Sequence, residues 1–156
     1  MRLPAGTYLS FSIRLRSKIT LQIDAGATLL AATPKAGFGA YDAAEPNEWD
    51  MYQDYGHSHW HNSLIWGENL EDVAIVGPGR IHGQGLTRSG PGPRRPKVAG
   101  DMPVSMRNIK DAEVLKKDGE PGTDTSFMDG QGNKAIGLKN CRRVTLRNFS
   151  ILLGGH

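Results

Sequence analysis

The sequence predicts an all-β protein whose short strands coil into a solenoid. Residues 63–83 and 134–156 follow the same plan: a short apolar strand, a polar turn that carries an Asn, a second strand, a break and a third strand. Asn69 and Asn140 hold equivalent turn positions in these two copies. A unit of about 20 residues cannot bury its own apolar face, so such units must stack on one another. The 20 Gly and 9 Pro agree with a chain rich in turns.

The earliest coil lies in residues 12–30, where three short apolar runs are separated by turns. The middle run, ITLQI at 19–23, alternates apolar and polar residues, which is the pattern of a half-buried strand. We expect its apolar side chains, Ile19, Leu21 and Ile23, to point inward. Ser-Lys and Asp-Ala-Gly turns bound this run on its two sides.

The later coils repeat this pattern. Residues 73–75 correspond to residues 144–146, and Ile81 corresponds to Ile151. No helical stripe separates the short strands, so the sequence does not favour β-α-β units. The strands are therefore expected to pair in parallel through the stacking of one coil on the next.

Two long irregular segments interrupt the coils, at about 33–62 and 84–133. Structureless loops longer than about 15 residues are uncommon inside compact domains and are usually functional or disordered. We predict that residues 1–156 contribute coils to a single domain and that the two loops form the sides of a groove. Within the second loop, Asn108 is expected to cap a short helix over 109–117.

Charge and composition exclude several functional classes. The chain has 19 Lys and Arg against 16 Asp and Glu, and this small, scattered excess does not indicate a nucleic-acid partner. One cysteine excludes an internal disulfide. No apolar run approaches the roughly 18 residues of a membrane span, so no membrane partner is expected. The first residues also lack the pattern of a signal peptide.

Four segments carry a resemblance to a known family: LPAGTY at 3–8, ITLQIDAGATLL at 19–30, NSLIWGENLEDVAIVGPGRIHGQGL at 62–86 and GQGNKAIGLKNCRRVTLRNFSILLGGH at 130–156. In this order they resemble the polygalacturonase family (glycoside hydrolase family 28), most of all its bacterial members. The resemblance covers the coil segments and is weak in the two loops. It implies a right-handed parallel β-helix, the solenoid that is also found in pectate lyases.

The resemblance also implies a reaction: inverting hydrolysis of α-linked galacturonate, or of galacturonate–rhamnose linkages, in pectin. Inversion needs an acid and a base carboxyl group about 6.5–9.5 Å apart, with a water molecule between them. The family supplies them from Asn-x-Asp and Asp-Asp segments, which this chain lacks, and Gly155-His156 precedes the place where they begin. We therefore expect an N-terminal part of a larger enzyme, incomplete at one or both ends. The catalytic residues are expected C-terminal to His156, and this stretch alone is expected to be inactive.

Four residues are candidates for substrate binding. His156 is placed near the cleft by the resemblance. Arg94 and Arg95 lie in a dense basic cluster, and Arg binds carboxylates in a bidentate manner, although a solvated mobile loop is the alternative. Trp60 could stack on a sugar face. Trp66, in contrast, is flanked by apolar residues and is expected to pack within its coil.

His57, His59 and His61 alternate, so they share one face of an extended strand. Three His side chains could bind zinc, but the outer two would lie about 13 Å apart on a straight strand. We therefore favour a polar loop edge or groove wall and predict no metal and no cofactor. The corner residues Asn69 and Asn140 are expected to stack in an amide ladder.

Two other functions remain open. A calcium-dependent pectate lyase would need clustered acids, and Asp42, Glu45, Glu48 and Asp50 are irregularly spaced. A non-catalytic β-solenoid could bind carbohydrate or build a surface fibre. The expected partner is a polysaccharide that contains galacturonate, in an extracellular or periplasmic location. Unpaired strands at the ends of the stack predict self-association, or a partner chain that completes the β-helix.

Overall fold

The computed structural model describes residues 1–34, 38–46, 59–86 and 130–155, and within them it contains strands and no helix. The predicted all-β class is confirmed at this level. No helix in these residues is long and apolar enough to cross a membrane. The predicted helix over 109–117 lies outside the described residues. The strands are β1 Arg2–Leu3, β2 Gly6–Ser10, β3 Ile13–Arg14, β4 Ile19–Ile23, β5 Ala27–Ala31, β6 Ser63–Glu68, β7 Glu71–Val76, β8 Arg80–His82, β9 Lys134–Lys139, β10 Arg142–Arg147 and β11 Ser150–Leu152.

The strands form three parallel sheets that the chain visits in a fixed cycle. Sheet 1 has the order β1-β4-β7-β10, sheet 2 the order β11-β8-β5-β2, and sheet 3 the order β3-β6-β9. Each of the strands β1 to β8 therefore pairs with the strand three places later in the chain, and every named pair is parallel. We call one passage through the three sheets a coil. This cyclic order is consistent with a parallel β-helix.

The repeat detected in the sequence corresponds to the pairing of neighbouring coils. Val73 pairs with Val144 and Ile75 with Leu146, one strand beside the next in sheet 1. Ile81 pairs with Ile151 in sheet 2. The correspondence predicted between residues 73–75 and 144–146, and between Ile81 and Ile151, is therefore confirmed residue by residue.

The core lies between the three sheets and is made by the inward side chains of each strand. In β4 the side chains of Leu21 and Ile23 are completely buried and Ile19 is partly buried, whereas the intervening Thr20 and Gln22 are exposed. The predicted alternation of this strand is confirmed. Burying each such aliphatic side chain contributes about 1.5–3 kcal/mol relative to leaving it in water. The other completely buried aliphatic side chains include Leu64, Ile65, Ile75 and Ile81.

The turn between sheet 3 and sheet 1 requires a left-handed backbone. Asn69 and Asn140 have φ values of 55° and 52° there. Asn tolerates this region better than most residues, which explains its place at both turns. The backbone N–H of Asn69 donates to the backbone carbonyl of Lys139. No hydrogen bond joins the two Asn side chains in the part of the chain that the structure describes, so this pair does not form the predicted amide ladder.

Oppositely charged side chains connect β7 to β10 just after this turn. Arg143 makes a bidentate contact with Asp72, with Nε–Oδ1 and Nη2–Oδ2 distances of 2.6 and 3.0 Å, and its Nη2 also lies 2.7 Å from Glu71 Oε2. Arg142 contacts the other oxygen of Glu71. Hydrogen bonds from both guanidinium groups lower the pKa of the Glu71 carboxyl group, and those from Arg143 lower the pKa of the Asp72 carboxyl group. These exposed pairs tie the last coil to the one before it.

Candidate functional site

The outer face of sheet 3 is covered by two described segments, 38–46 and 59–62. As a result, five of the six residues of β6 are buried, rather than every second one. Asp42 anchors the first segment, because its Oδ2 accepts a hydrogen bond of 2.7 Å from Trp66 Nε1 and its backbone N–H donates to Ser12 Oγ. Tyr41 donates its hydroxyl to the carbonyl of Ala32, and burial raises the pKa of that hydroxyl.

Glu45 holds the second segment in place. Its carboxylate accepts hydrogen bonds of 3.0 Å from the backbone N–H groups of Trp60 and His61. His59 Nδ1 lies 3.6 Å from Glu45 Oε1, and the His59 side chain is completely buried. Glu45 is itself 9% exposed. A carboxylate that is nearly buried and accepts backbone hydrogen bonds positions the chain, and it is not open to a ligand.

Trp66 is the centre of a stacked group on sheet 3. The imidazole of His61 stacks on its indole with a centroid distance of 4.1 Å and an interplanar angle of 28°. The guanidinium carbon of Arg14, on the neighbouring strand β3, lies 4.7 Å from the centroid of the Trp66 ring. Glu68 extends the group, since its Oε2 lies 3.4 Å from His61 Nε2. Trp66 is buried, at 4% exposed, but it packs against the segments that cover sheet 3 and not within its coil as predicted.

Trp60, the substrate-binding candidate that the structure describes, lies directly before β6. Lys139 places its ammonium nitrogen 3.6 Å from the centroid of the Trp60 ring, which is a cation–π contact. A second aromatic ring, that of His61, meets it edge to face at 5.4 Å. Trp60 is partly buried in this position. Its role towards a sugar remains a prediction, as do those of Arg94, Arg95 and His156, which lie outside the described residues.

His59 and His61, two of the three alternating histidines, do not share one exposed face. His59 is completely buried and His61 is partly exposed, and both place Nδ1 within 4 Å of Glu45, at 3.6 and 3.9 Å. His57 lies outside the described residues. Within residues 1–34, 38–46, 59–86 and 130–155, no group of three or more His, Cys, Asp or Glu side chains is placed to hold a metal ion.

Two buried asparagines precede the strands of sheet 3. Asn62 lies before β6 and Asn133 before β9, and both side chains are completely buried. The backbone N–H of Asn133 donates to the carbonyl of Asn62, and the Asn62 amide donates to the carbonyl of Gln131. These positions, rather than Asn69 and Asn140, are where stacked coils bury asparagine. The sequence does carry a signal for these two positions. Asn62 and Asn133 directly precede β6 and β9, which are corresponding strands of the repeat.

A depression of about 400 Å³ opens next to the stacked group, beyond the ends of β3 and β6. Sequence reasoning did not identify it. The one usable signal was strand alternation, which places Arg14 outward beside the inward Ile13. The lining residues are Arg14, Leu15, Arg16, Ser17, Glu68 and Leu70.

The structure describes two of the four acids that a calcium site would use, Asp42 and Glu45. Asp42 is bonded to an indole, and Glu45 is bonded to two backbone amides. Glu48 and Asp50 lie outside the described residues. The charged side chains that remain to face a ligand in this region are those of Arg14, Lys139 and Glu68.

Comparison with known proteins gives a likeness of fold. No family model matches the chain, and no curated protein matches it. It is similar to the crystal structure of a "putative glycosyl hydrolase" from Parabacteroides merdae, with 20% identity, a TM-score of 0.51 and coverage of 98% of this chain and 51% of that one. It is also similar to the family 28 exopolygalacturonase of Yersinia enterocolitica, with 23% identity, a TM-score of 0.49 and coverage of 96% and 28%.

The first of these similarities shows a shared fold and nothing finer, because the identity is low. The chain spans about half the length of the Parabacteroides merdae structure and less than a third of the Yersinia enterocolitica one.

Proposed function

We propose that the chain is part of a right-handed parallel β-helix enzyme, a glycoside hydrolase that cleaves α-linked galacturonate in pectin by inverting hydrolysis. The polygalacturonase and rhamnogalacturonan hydrolase types both fit this proposal. The observation that carries it is the cyclic three-sheet order of parallel strands, in a fold shared with a Parabacteroides merdae "putative glycosyl hydrolase". The order of the four sequence segments that resemble family 28 supports the substrate class.

The proposal places the catalytic carboxyl groups outside this chain, C-terminal to His156. Inverting hydrolysis needs two carboxyl groups that flank a water molecule, and such groups must be open to the substrate. Asp42 and Glu45 are engaged with Trp66 and with the backbone of residues 60–61. In this proposal the described coils form one end of the β-helix and support a wall of the substrate groove.

The exposed last coil supports the proposal that another strand layer covers it. Leu146 and Ile151 lie on the inward face of β10 and β11, yet both are exposed. We propose that a further coil, a partner chain or a second copy of this chain covers this face. Because pectin is an extracellular polymer, an extracellular or periplasmic location follows from the same proposal, with no cofactor required.

The test compares the 156-residue chain with the full polypeptide that its gene encodes. Each is incubated with polygalacturonate, and new reducing ends are measured. We expect background release from the chain alone and turnover of about 1–10³ s⁻¹ from an active full polypeptide. Inversion is checked by following the anomeric configuration of the first product by NMR. Turnover by the chain alone would show that its active site lies within residues 1–156, and no turnover by either would exclude hydrolysis of this substrate.

A non-catalytic β-solenoid that binds carbohydrate is the second candidate. The engagement of Asp42 and Glu45 with protein groups favours it. The same comparison separates the two functions, because a binder retains polygalacturonate without releasing reducing ends. A calcium-dependent pectate lyase would instead release an unsaturated product that absorbs in the ultraviolet, and only in the presence of calcium.

A further inference from the structure

The depression beyond β3 and β6 has the size of a small-ligand site. Its volume of about 400 Å³ falls within the range of about 300–1,000 Å³ that is usual for such sites. It lies where the chain turns from sheet 3 to sheet 1, whereas the substrate candidate Trp60 precedes β6. It is therefore built from different residues than the proposed substrate groove.

Arg14 is held in place before any ligand arrives. Its guanidinium lies over the Trp66 ring at 4.7 Å. That ring is itself fixed by a hydrogen bond to Asp42 and by the stacked imidazole of His61. An arginine that is already restrained by stacking loses less conformational entropy when it binds an anion, so its contact with a ligand costs less.

Among the described residues, no acid forms an ion pair with Arg14. In the part of the chain that the structure describes, neither Arg14 nor Arg16 forms an ion pair, whereas Arg2, Arg142 and Arg143 each contact an acid. The depression is thus lined by two arginines and one acid, Glu68. This balance favours a ligand with a single negative charge over a neutral one.

The other lining groups narrow the chemistry of the ligand. Glu68 is 30% exposed and can accept hydrogen bonds from hydroxyl groups. Leu70 supplies apolar surface, since Leu15 is only 3% exposed. Leu70 packs over Gly67, where any larger residue would collide with it. Arginine binds a carboxylate in a bidentate manner. One carboxylate, several hydroxyl groups and an apolar ring face are together the features of a uronate sugar.

We propose that this depression is a second saccharide site, which binds one uronate unit with Arg14 as its main carboxylate contact and Arg16 as support. The site would hold a polymer chain away from the point of cleavage. The existence of the site rests on the geometry of these residues, and only the identity of the polymer rests on the proposed function.

The experiment measures binding of D-galacturonate to the full 156-residue chain by titration calorimetry, with D-galactose as the uncharged probe. We expect galacturonate to bind with a dissociation constant on the order of 1 mM and galactose to bind at least about tenfold more weakly. Arg14→Gln should weaken galacturonate binding about tenfold. Arg80→Gln is the matched control, because Arg80 is an exposed arginine on β8 in sheet 2 and should leave binding unchanged.

Two further variants and one further probe make the result decisive. Arg16 is exposed and takes no part in the Trp66 stack, so Arg16→Gln tests the site if Arg14→Gln alters the circular dichroism spectrum. Arg14→Lys keeps the charge and should recover only part of the affinity. Equal binding by the Arg14, Arg16 and Arg80 variants would overturn the proposal. Inorganic phosphate that binds as tightly as galacturonate would also overturn it, by showing a site for any anion.

Failure of this inference and failure of the proposed function give different results. Hydrolysis of polygalacturonate by the full polypeptide without galacturonate binding at Arg14 overturns the second site alone. Binding that depends on Arg14, without hydrolysis, overturns the enzyme proposal alone.

Discussion

The coil that contains β7 and β8 and the coil that contains β10 and β11 have the same pattern of residues and different surroundings. Val73 is 1% exposed, whereas its partner Val144 is 37% exposed. Ile75 is completely buried, but the corresponding Leu146 is 49% exposed. The difference is not in the sequences, because the strands pair residue for residue. It arises because, among the described strands, β7 has neighbours in sheet 1 on both sides and β10 has one.

This comparison teaches that a coil of this kind does not bury its own apolar residues. The alternation of a strand decides which side chains face inward. Whether those side chains lose contact with water depends on the coils above and below. Each coil therefore adds stability mainly to its neighbours, and the effect of a substitution should follow its position in the stack.

The largest expected effect is the difference in the free energy of unfolding between the variants Ile75→Ala and Leu146→Ala. Ile75→Ala removes a completely buried side chain between two coils and should lower the free energy of unfolding by about 2–5 kcal/mol. Leu146→Ala removes a side chain that is half exposed, so we expect a loss below about 1 kcal/mol. Urea denaturation followed by circular dichroism measures both values.

Equal losses for the two variants would show that the last coil is covered in solution. Light scattering identifies the cause, because a second copy that covers Leu146 increases the particle mass. In that case Leu146→Lys, which places a charge on the apolar face, should reduce the association. A monomer that shows equal losses would contradict the arrangement of the coils.

The second comparison uses glycines that lie in the same two coils. A Cβ at Gly79 would lie 2.4 Å from Ile23 Cγ2 and 2.6 Å from the carbonyl oxygen of Asp24, in the preceding coil. A Cβ at Gly154 would meet only Ile151 Cγ2, at 3.3 Å, and Ala135 Cβ, at 4.0 Å. Gly79→Ala should therefore destabilise the protein by about 1–3 kcal/mol through overpacking, and Gly154→Ala should be nearly neutral. Thermal denaturation of the two variants measures the difference.

A neutral Gly79→Ala would mean that the two coils lie further apart than the contact with Ile23 indicates. A strongly destabilising Gly154→Ala would indicate that Ile151 is held by a covering chain. If no chain covers Ile151, its exposed side chain can move away from the methyl group that Gly154→Ala adds.

The smallest expected effect is the pH dependence of the ion pairs between the two coils. Hydrogen bonds from Arg142 and Arg143 lower the pKa of Glu71 below its ordinary value of 4.5, and the hydrogen bonds from Arg143 lower the pKa of Asp72 below its ordinary value of 3.8. Because these pKa values are lowered in the folded state, the ion pairs contribute their full stabilisation at any pH above the ordinary pKa values. It is lost as the pH falls through the lower folded values. The midpoint of thermal denaturation should therefore decrease slightly over this acid range.

The double variant Glu71→Gln/Asp72→Asn tests the assignment of this pH dependence. Its midpoint should change less than that of the unmodified chain over the same range, and added salt should reduce the difference, because exposed pairs are screened. Arg80 lies on β8 and forms no ion pair in the described residues. The variant Arg80→Gln should therefore show the same pH dependence of the midpoint as the unmodified chain. An unchanged profile in the double variant would assign the effect to other carboxyl groups.

Much of the fold could be predicted because local pattern specifies a strand. The alternation of residues 19–23 and the correspondence of Ile81 with Ile151 are visible without any tertiary information, and both are confirmed. The candidate site could not be predicted in the same way. Asp42 and Trp66 are 24 positions apart, and Arg14 meets Trp66 across 52 positions. No periodicity connects such partners.

The sequence by itself determined that the protein is built from short parallel strands in repeated coils, because side-chain alternation and turn residues act over a few positions. Only the tertiary structure decided which inward residues are buried, and that Glu45 and Asp42 serve the backbone and an indole instead of a ligand. It also placed Arg14, without an acid partner in the described residues, beside a depression. The physical reason is that burial and charge pairing depend on distances in space between residues that are far apart in the chain.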